Sequence, residues 1–285
     1  VPDGTPQNFA ARLKLAQIAS GGLLCVGLDP DLEKLPKDLL SAGPNAAVLA
    51  FNKRIIDATC DIAAAYKPQA AFYAAIAAEE ALELSIRYIR ERAPHALVIF
   101  DGKRNDIGNT AEAYARESFE RYAADAATVN PYMGEDSVRP FLARADRGVL
   151  LLCRTSNSGG KDFQDLIVNG APLYMQVAHR AARDWNGNGN VMLVVGATNP
   201  TEMAALRQAH PELTFLVPGI GAQGGDLEAI LAAGLNADHA GLLISASRSI
   251  NYAQGGSAQG IRAAALELYS AINRRRSAAA TSRVA

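Results

Sequence analysis

Eight short apolar runs, separated by segments of helical periodicity, limit this chain to very few architectures. They read LLCVGLD (23–29), AAAYKPQ (63–69), ALVIFDGK (96–103), ATVNPY (127–132), GVLLLCRTS (148–156), VMLVVGAT (191–198), TFLVPGIG (214–221) and GLLISASRS (241–249). Between them lie amphipathic stretches such as AAEEALELSIRYIRERA, NTAEAYARESFERYAADA and NPTEMAALRQA. Asn109 with Glu112 looks like a capping box, and Asn199 stands before Pro200 at a first helical turn. Strands that alternate with helices pair in parallel, because each crossover helix returns the chain to the same edge. Near-continuous apolar strands need cover on both faces, and eight such units in about 250 residues match a single-domain α/β fold, the (β/α)8 TIM barrel. A doubly wound open sheet competes less well: no G-x-G-x-x-G follows the first run, and no composition break divides the chain. A helix over roughly 6–19 is expected to close the barrel bottom. The barrel domain is assigned to 1–273, and the small, polar, basic end RRRSAAATSRVA (274–285) to a flexible tail.

Charge and cysteine usage narrow the setting. The formal net charge is -1, so no basic field draws the chain to nucleic acid or to an anionic membrane, and an anionic ligand must be held locally. Cys25, Cys60 and Cys153 are odd in number and widely spaced, which predicts reduced thiols in a cytoplasmic protein. No apolar run reaches the length of a membrane span, and VPDGTPQNFAARLKLAQ has neither the basic start nor the apolar middle of a secretory signal. None of the four histidines, His95, His179, His210 and His239, has a second His or Cys at metal-ligand spacing, so no metal site is expected.

In a barrel of this kind the active site forms at the C-terminal ends of the strands. Here those ends carry Asp29, Lys67, Asp101 with Lys103, Thr155 with Ser156, Pro218 before a glycine loop, and Arg248. Residues i and i+2 of a strand share a face, so Asp101 and Lys103 are expected to form an ion pair, with Lys67 of the adjacent strand completing a row of plus, minus, plus. Such a row is either a structural salt-bridge network or a functional site, and its position at a barrel mouth favours the second. After the seventh strand, VPGIGAQGGD offers Gly219, Gly221 and Gly224 for close backbone approach to a ligand. Alone it would be a flexible connector; paired with the planar cation of Arg248, it points to a phosphate site.

These residues resemble the orotidine 5'-monophosphate decarboxylase family. Its signature D-x-K-x-x-D-I followed by Thr reads here as Asp101, Lys103, Asp106, Ile107 and Thr110. GLDP (27–30), YKPQ (66–69), TSNSGG (155–160), PGIGAQGGD (218–226) and SRSI (247–250) follow in family order. The resemblance implies decarboxylation of orotidine 5'-phosphate to uridine 5'-phosphate, the last step of pyrimidine nucleotide synthesis, without metal or organic cofactor. It implies that Lys67, Asp101, Lys103 and Asp106 form the charge network and that Lys103 protonates C6 of the pyrimidine. Asp29, Ser156, Pro218, Gln223 and Arg248 would bind substrate. Asp106, Ile107 and Thr110 would reach into the neighbouring subunit's site, making the active species a homodimer. One departure is Ser158 in TSNSGG, where relatives often carry proline, and the following GGKDFQDLIVNG (159–170) is a candidate lid.

Two rivals remain. A sugar-phosphate lyase such as hexulose phosphate synthase shares D-x-K-x-x-D but uses magnesium, and Lys67 stands where a cation site would want a carboxylate. A non-catalytic phospholigand-binding barrel would keep the gripping loops but would not need the Lys67, Asp101 and Lys103 row.

Overall fold

The computed structural model describes residues 8–220 and 225–281. Each apolar run contains a strand: β1 (Leu24–Leu28), β2 (Ala65–Pro68), β3 (Leu97–Arg104), β4 (Ala126–Val129), β5 (Gly148–Arg154), β6 (Val191–Val195), β7 (Thr214–Pro218) and β8 (Leu242–Ala246). All pair in parallel with their sequence neighbours, and β1 pairs with both β2 and β8, which closes the sheet into a barrel. Every residue of β1, β2, β4, β6 and β8 is buried, as expected for strands covered on both faces.

Alternation along the strands divides the core into layers. In β3, Leu97 and Ile99 join the barrel interior, whereas Val98 and Phe100 pack outward against the helices. The helix Phe9–Ser20 plugs the bottom with Phe9, Leu13 and Ala16. Asn8 caps it by accepting the Ala11 amide at 2.9 Å, and Gly21, at φ +65°, ends it. Gly148, opening β5, makes room for the plug, since a Cβ there would stand 2.4 Å from the Phe9 ring. Burying such a phenylalanine stabilises the fold by about 1.5–3 kcal/mol. Just below β4, the buried Asp125 accepts from Arg90 at 2.6 Å and from the Val98 amide at 2.7 Å, and it also pairs with Arg12 of the plug helix.

Two local expectations are corrected. The chain stays helical past Asn273, in one helix Ala258–Thr281, while 282–285 of the expected tail lie outside the described residues. Alanine and arginine are strong helix formers, and Arg276 donates to the His239 carbonyl at 2.9 Å and to Asn273 at 2.9 Å, which holds that turn on the barrel. Asn109 does not cap its helix, which begins at Gly108 with Ile107 in the cap position and no side-chain cap bond. In the candidate lid, a short 3-10 turn, Ser158–Asp162, leads to a hairpin pairing Ile167–Val168 with Ala171–Pro172. Its turn is Asn169 and Gly170, both at positive φ, a pairing that favours tight hairpins. By contrast Asn199 and Pro200 do start a helix, Pro200–Ala209. No helix among the described residues is long and apolar enough to cross a membrane. The three cysteines are free, with Cys25 and Cys153 buried.

Candidate active site

The ends of β2 and β3 bring the charge row together. Lys67 Nζ donates to Asp101 Oδ2 at 2.7 Å, and Lys103 Nζ donates to Asp101 Oδ1 at 2.7 Å. Lys67 and Asp101 are each only 5% exposed, whereas the Lys103 side chain is 44% exposed and opens toward solvent. Burial alone would protonate Asp101, but the two ammonium groups outweigh it and hold the carboxyl far below its usual range. Burial likewise pushes against a charged Lys67, yet Asp101 and then Asp29 keep its ammonium protonated well beyond the ordinary lysine range.

The pair at Asp101 and Lys103 forms by a route that strand alternation does not describe. Phe100 faces Ala127 and Arg104 faces Val129, so β3 holds four steps where β4 holds two. The excess is absorbed as a bulge, and Lys103 takes φ +47°, a left-handed conformation uncommon outside glycine. Bulges of this kind re-aim side chains at sheet rims. Gly102 sits in the bulge with no room for more: a Cβ would stand 2.7 Å from the Phe100 ring. Arg104 is outside the row. It holds Glu117 with two bonds of 2.8 Å and lies over the Tyr114 ring, which is a structural clamp.

Asp106 does not join the row within this chain. Its Oδ1 accepts the Ile107 amide at 2.7 Å, and it makes no ion pair among the described residues. Ile107 is 54% exposed, and Thr110, in the first turn of the helix Gly108–Arg116, is exposed as well. This segment is therefore largely exposed, and among the described residues it makes no bond to its own barrel's lysines.

Around the mouth, Asp29 follows β1 with its Oδ1 buried and without a partner. Its carbonyl accepts from the Tyr252 hydroxyl at 3.0 Å, and that hydroxyl also accepts from the Asp31 amide at 2.8 Å, so the loop is buttressed. Ser156, half-buried beyond β5, accepts from Thr198 through its carbonyl at 3.3 Å. The lid segment returns to the same strand: Gln164 accepts the Thr155 amide at 2.9 Å, and the buried Arg154 pairs with Asp165 at 3.2 Å. Pro218 ends β7 opposite Ser245, and Gly219 follows at φ +101°. Gly221, Gln223 and Gly224 lie outside the described residues. Arg248 opens the short helix Arg248–Asn251 after β8, exposed and without an acidic partner among the described residues.

One residue at this site carries no signal in the motif. Thr128, in β4, donates its hydroxyl proton to Asp101 Oδ1 at 2.8 Å and accepts the Lys103 amide at 2.9 Å. A threonine inside a strand is unremarked in sequence because its branched side chain suits any sheet. The usable signal was a polar residue within the otherwise apolar Ala126–Val129.

Comparison with known proteins bears on this constellation. A model of the Orotidine 5'-phosphate decarboxylase / HUMPS family matches residues 22–263. The chain belongs to that family. Orotidine 5'-phosphate decarboxylases of Cellvibrio japonicus (strain Ueda107) and Janthinobacterium sp. (strain Marseille) are 55% and 56% identical to it, over 93% and 94% of this chain and 98% of each relative. The solved structure of Leishmania donovani OMP decarboxylase superposes with a TM-score of 0.81 at 44% identity, covering 94% of this chain and 98% of that one. In this decarboxylase-family barrel the D-x-K element lies at the end of β3, and Arg248 follows β8.

Proposed function

We propose that this member of the orotidine 5'-phosphate decarboxylase family is a carboxy-lyase that converts orotidine 5'-monophosphate to uridine 5'-monophosphate and carbon dioxide, in pyrimidine biosynthesis, with no metal or organic cofactor. The observation that carries the proposal is the row of Lys67, Asp101 and Lys103, whose outermost ammonium is directed to the mouth by a bulged strand. Loss of carbon dioxide from C6 leaves an electron pair in an orbital that the ring does not easily delocalise, so the barrier is very high. The Lys103 ammonium stabilises that developing charge and then gives its proton to C6; solvent later restores the lysine proton. Asp101 keeps the ammonium charged and aimed, and Lys67 keeps Asp101 ionised.

A single general acid supplies about 100- to 10,000-fold, while enzymes commonly lower barriers by about 8–23 kcal/mol. The rest is assigned to binding energy from parts remote from C6. Arg248 and the loop 218–225 grip the phosphate, and closure of 159–170 excludes water. The unpartnered Oδ1 of Asp29 is free to accept from a substrate hydroxyl. Pro218, Gln223 and the amides of Gly219, Gly221 and Gly224 complete the phosphate end, and Ser156 contacts the pyrimidine edge. Asp106, Ile107 and Thr110 act in the partner subunit's site of a homodimer, in keeping with the exposure of Ile107 and Thr110 and with Asp106 making no ion pair among the described residues. Three free cysteines, two of them buried, suit a reducing cytoplasm.

The magnesium-dependent sugar-phosphate lyase fits less well. Both oxygens of Asp101 are taken by ammonium and hydroxyl donors, whereas a divalent cation needs carboxylate oxygens free to coordinate. The test is the fall in ultraviolet absorbance as orotidine 5'-monophosphate is consumed, with carbon dioxide collected and excess chelator present. Equal turnover with and without chelator, one carbon dioxide per substrate, is expected. An inert enzyme, or one silenced by chelator, would contradict the assignment.

A further inference from the structure

We propose that Thr128 is a positioning residue for this decarboxylation: its single hydroxyl sets both the orientation of Asp101 and the backbone from which Lys103 reaches the substrate. The proposal rests on the decarboxylase assignment above. Three observations carry it. The hydroxyl lies between the two groups, donating to Asp101 Oδ1 at 2.8 Å and accepting the Lys103 amide at 2.9 Å. Thr128 is 1% exposed, so water does not substitute for it. The register excess of β3 over β4 falls between Phe100 and Arg104, with Thr128 lying between their partners Ala127 and Val129.

Hydroxyl bookkeeping fixes the roles. A threonine hydroxyl has one proton, and a carboxylate accepts only, so the proton goes to Asp101 and a lone pair remains for the Lys103 amide. In a regular ladder that amide would bond to backbone on the next strand; inside the bulge its acceptor is this side chain. Lys103 at φ +47° is a conformation that persists only where the surroundings hold it. The same oxygen that receives the Thr128 proton also receives Lys103 Nζ at 2.7 Å, while Lys67 holds the other. The carboxylate is thereby fixed at both oxygens, and the lysine is fixed at both its amide and its ammonium. Removing the hydroxyl loosens the start of the side chain and its anchor together. Phosphate binding is remote from this point, so the loss belongs to the chemical step and not to substrate affinity.

Thr128→Val keeps the shape and deletes both bonds, and Thr128→Ser keeps both and deletes a methyl. Turnover is measured per active site, with sites counted by stoichiometric binding of uridine 5'-monophosphate, which removes the effect of misfolded protein. Thr128→Val is expected to lower kcat about 10- to 100-fold with KM within about threefold of wild type, and Thr128→Ser to restore kcat to within about threefold. Thr128→Val with kcat per site within twofold of wild type would overturn the proposal. So would loss in the valine variant that serine does not rescue, since packing by the methyl would then be the cause. A wild type that turns over while Thr128→Val is unaffected counts against this proposal alone; a wild type inert toward the substrate overturns both.

Discussion

Lys67 and Asp101 meet at 2.7 Å where each is 5% exposed, so neither charge draws much support from water. Removing Asp101 would leave Lys67 buried without its ion-pair partner, which typically costs about 3–5 kcal/mol, whereas without Lys67 the Asp101 carboxylate would still hold Lys103. Lys103 is different: half in solvent, it can meet a ligand while keeping its bond to Asp101. Arg248, exposed and free of acidic partners among the described residues, has its donors available. Arg248→Ala is expected to reduce kcat/KM on the order of 10- to 100-fold, mostly through KM, because it deletes charge-assisted bonds to a phosphate far from C6. Steady-state kinetics check this; a loss confined to kcat would count against a phosphate grip. The ion pair of Asp101 and Lys103 was legible from their spacing, but its geometry was not. A two-residue bulge depends on the facing strand, and Thr128, the residue that meets it, looks like any strand threonine.

At the scale of elements, continuous apolar runs announced the eight strands because a strand covered on both faces cannot alternate with polar residues. The hairpin around Asn169 and Gly170 went unread although its turn pair is a strong local signal, since two-residue strands carry no period of their own. The end of the last helix went unread because RRRSAAA looks like a tail by charge yet favours helix by propensity. One junction between elements predicts a pH response. His179 Nδ1, on the helix Leu173–Arg183, lies 2.9 Å from His210 Nε2, which caps the helix Pro200–Ala209. Burial, then His179, then Arg183 push the His210 pKa down. The unfolded chain therefore takes up this proton first as pH falls. Stability from this site is complete above the ordinary histidine value of about 6.5 and declines as pH drops below it. Thermal unfolding from pH 8 to 5 should show Tm falling on the acid side, and His210→Gln should flatten part of that fall. Parallel curves for the two proteins would remove His210 from the account.

For the molecule as a whole, the closed barrel gathers the polar ends of β1, β2, β3, β5, β7 and β8 at one rim, which is where this fold places its sites. Asp106, Ile107 and Thr110 are the exception: Ile107 and Thr110 are exposed, and Asp106 makes no ion pair among the described residues. If they serve a partner's site, Lys103→Ala and Asp106→Ala subunits, each inactive alone, should regain about a quarter of the wild-type rate when unfolded and refolded together. Half the dimers would then be mixed, each with one intact site of two. No recovery would argue that each site is built from one chain. The central claim is that Lys103 performs the chemistry in a site that binds substrate by other means. Lys103→Ala mixed with orotidine 5'-monophosphate tests it most directly. The account predicts that the substrate binds and is recovered intact, with carbon dioxide release at least about 100-fold slower than wild type. Carbon dioxide release near the wild-type rate would contradict it.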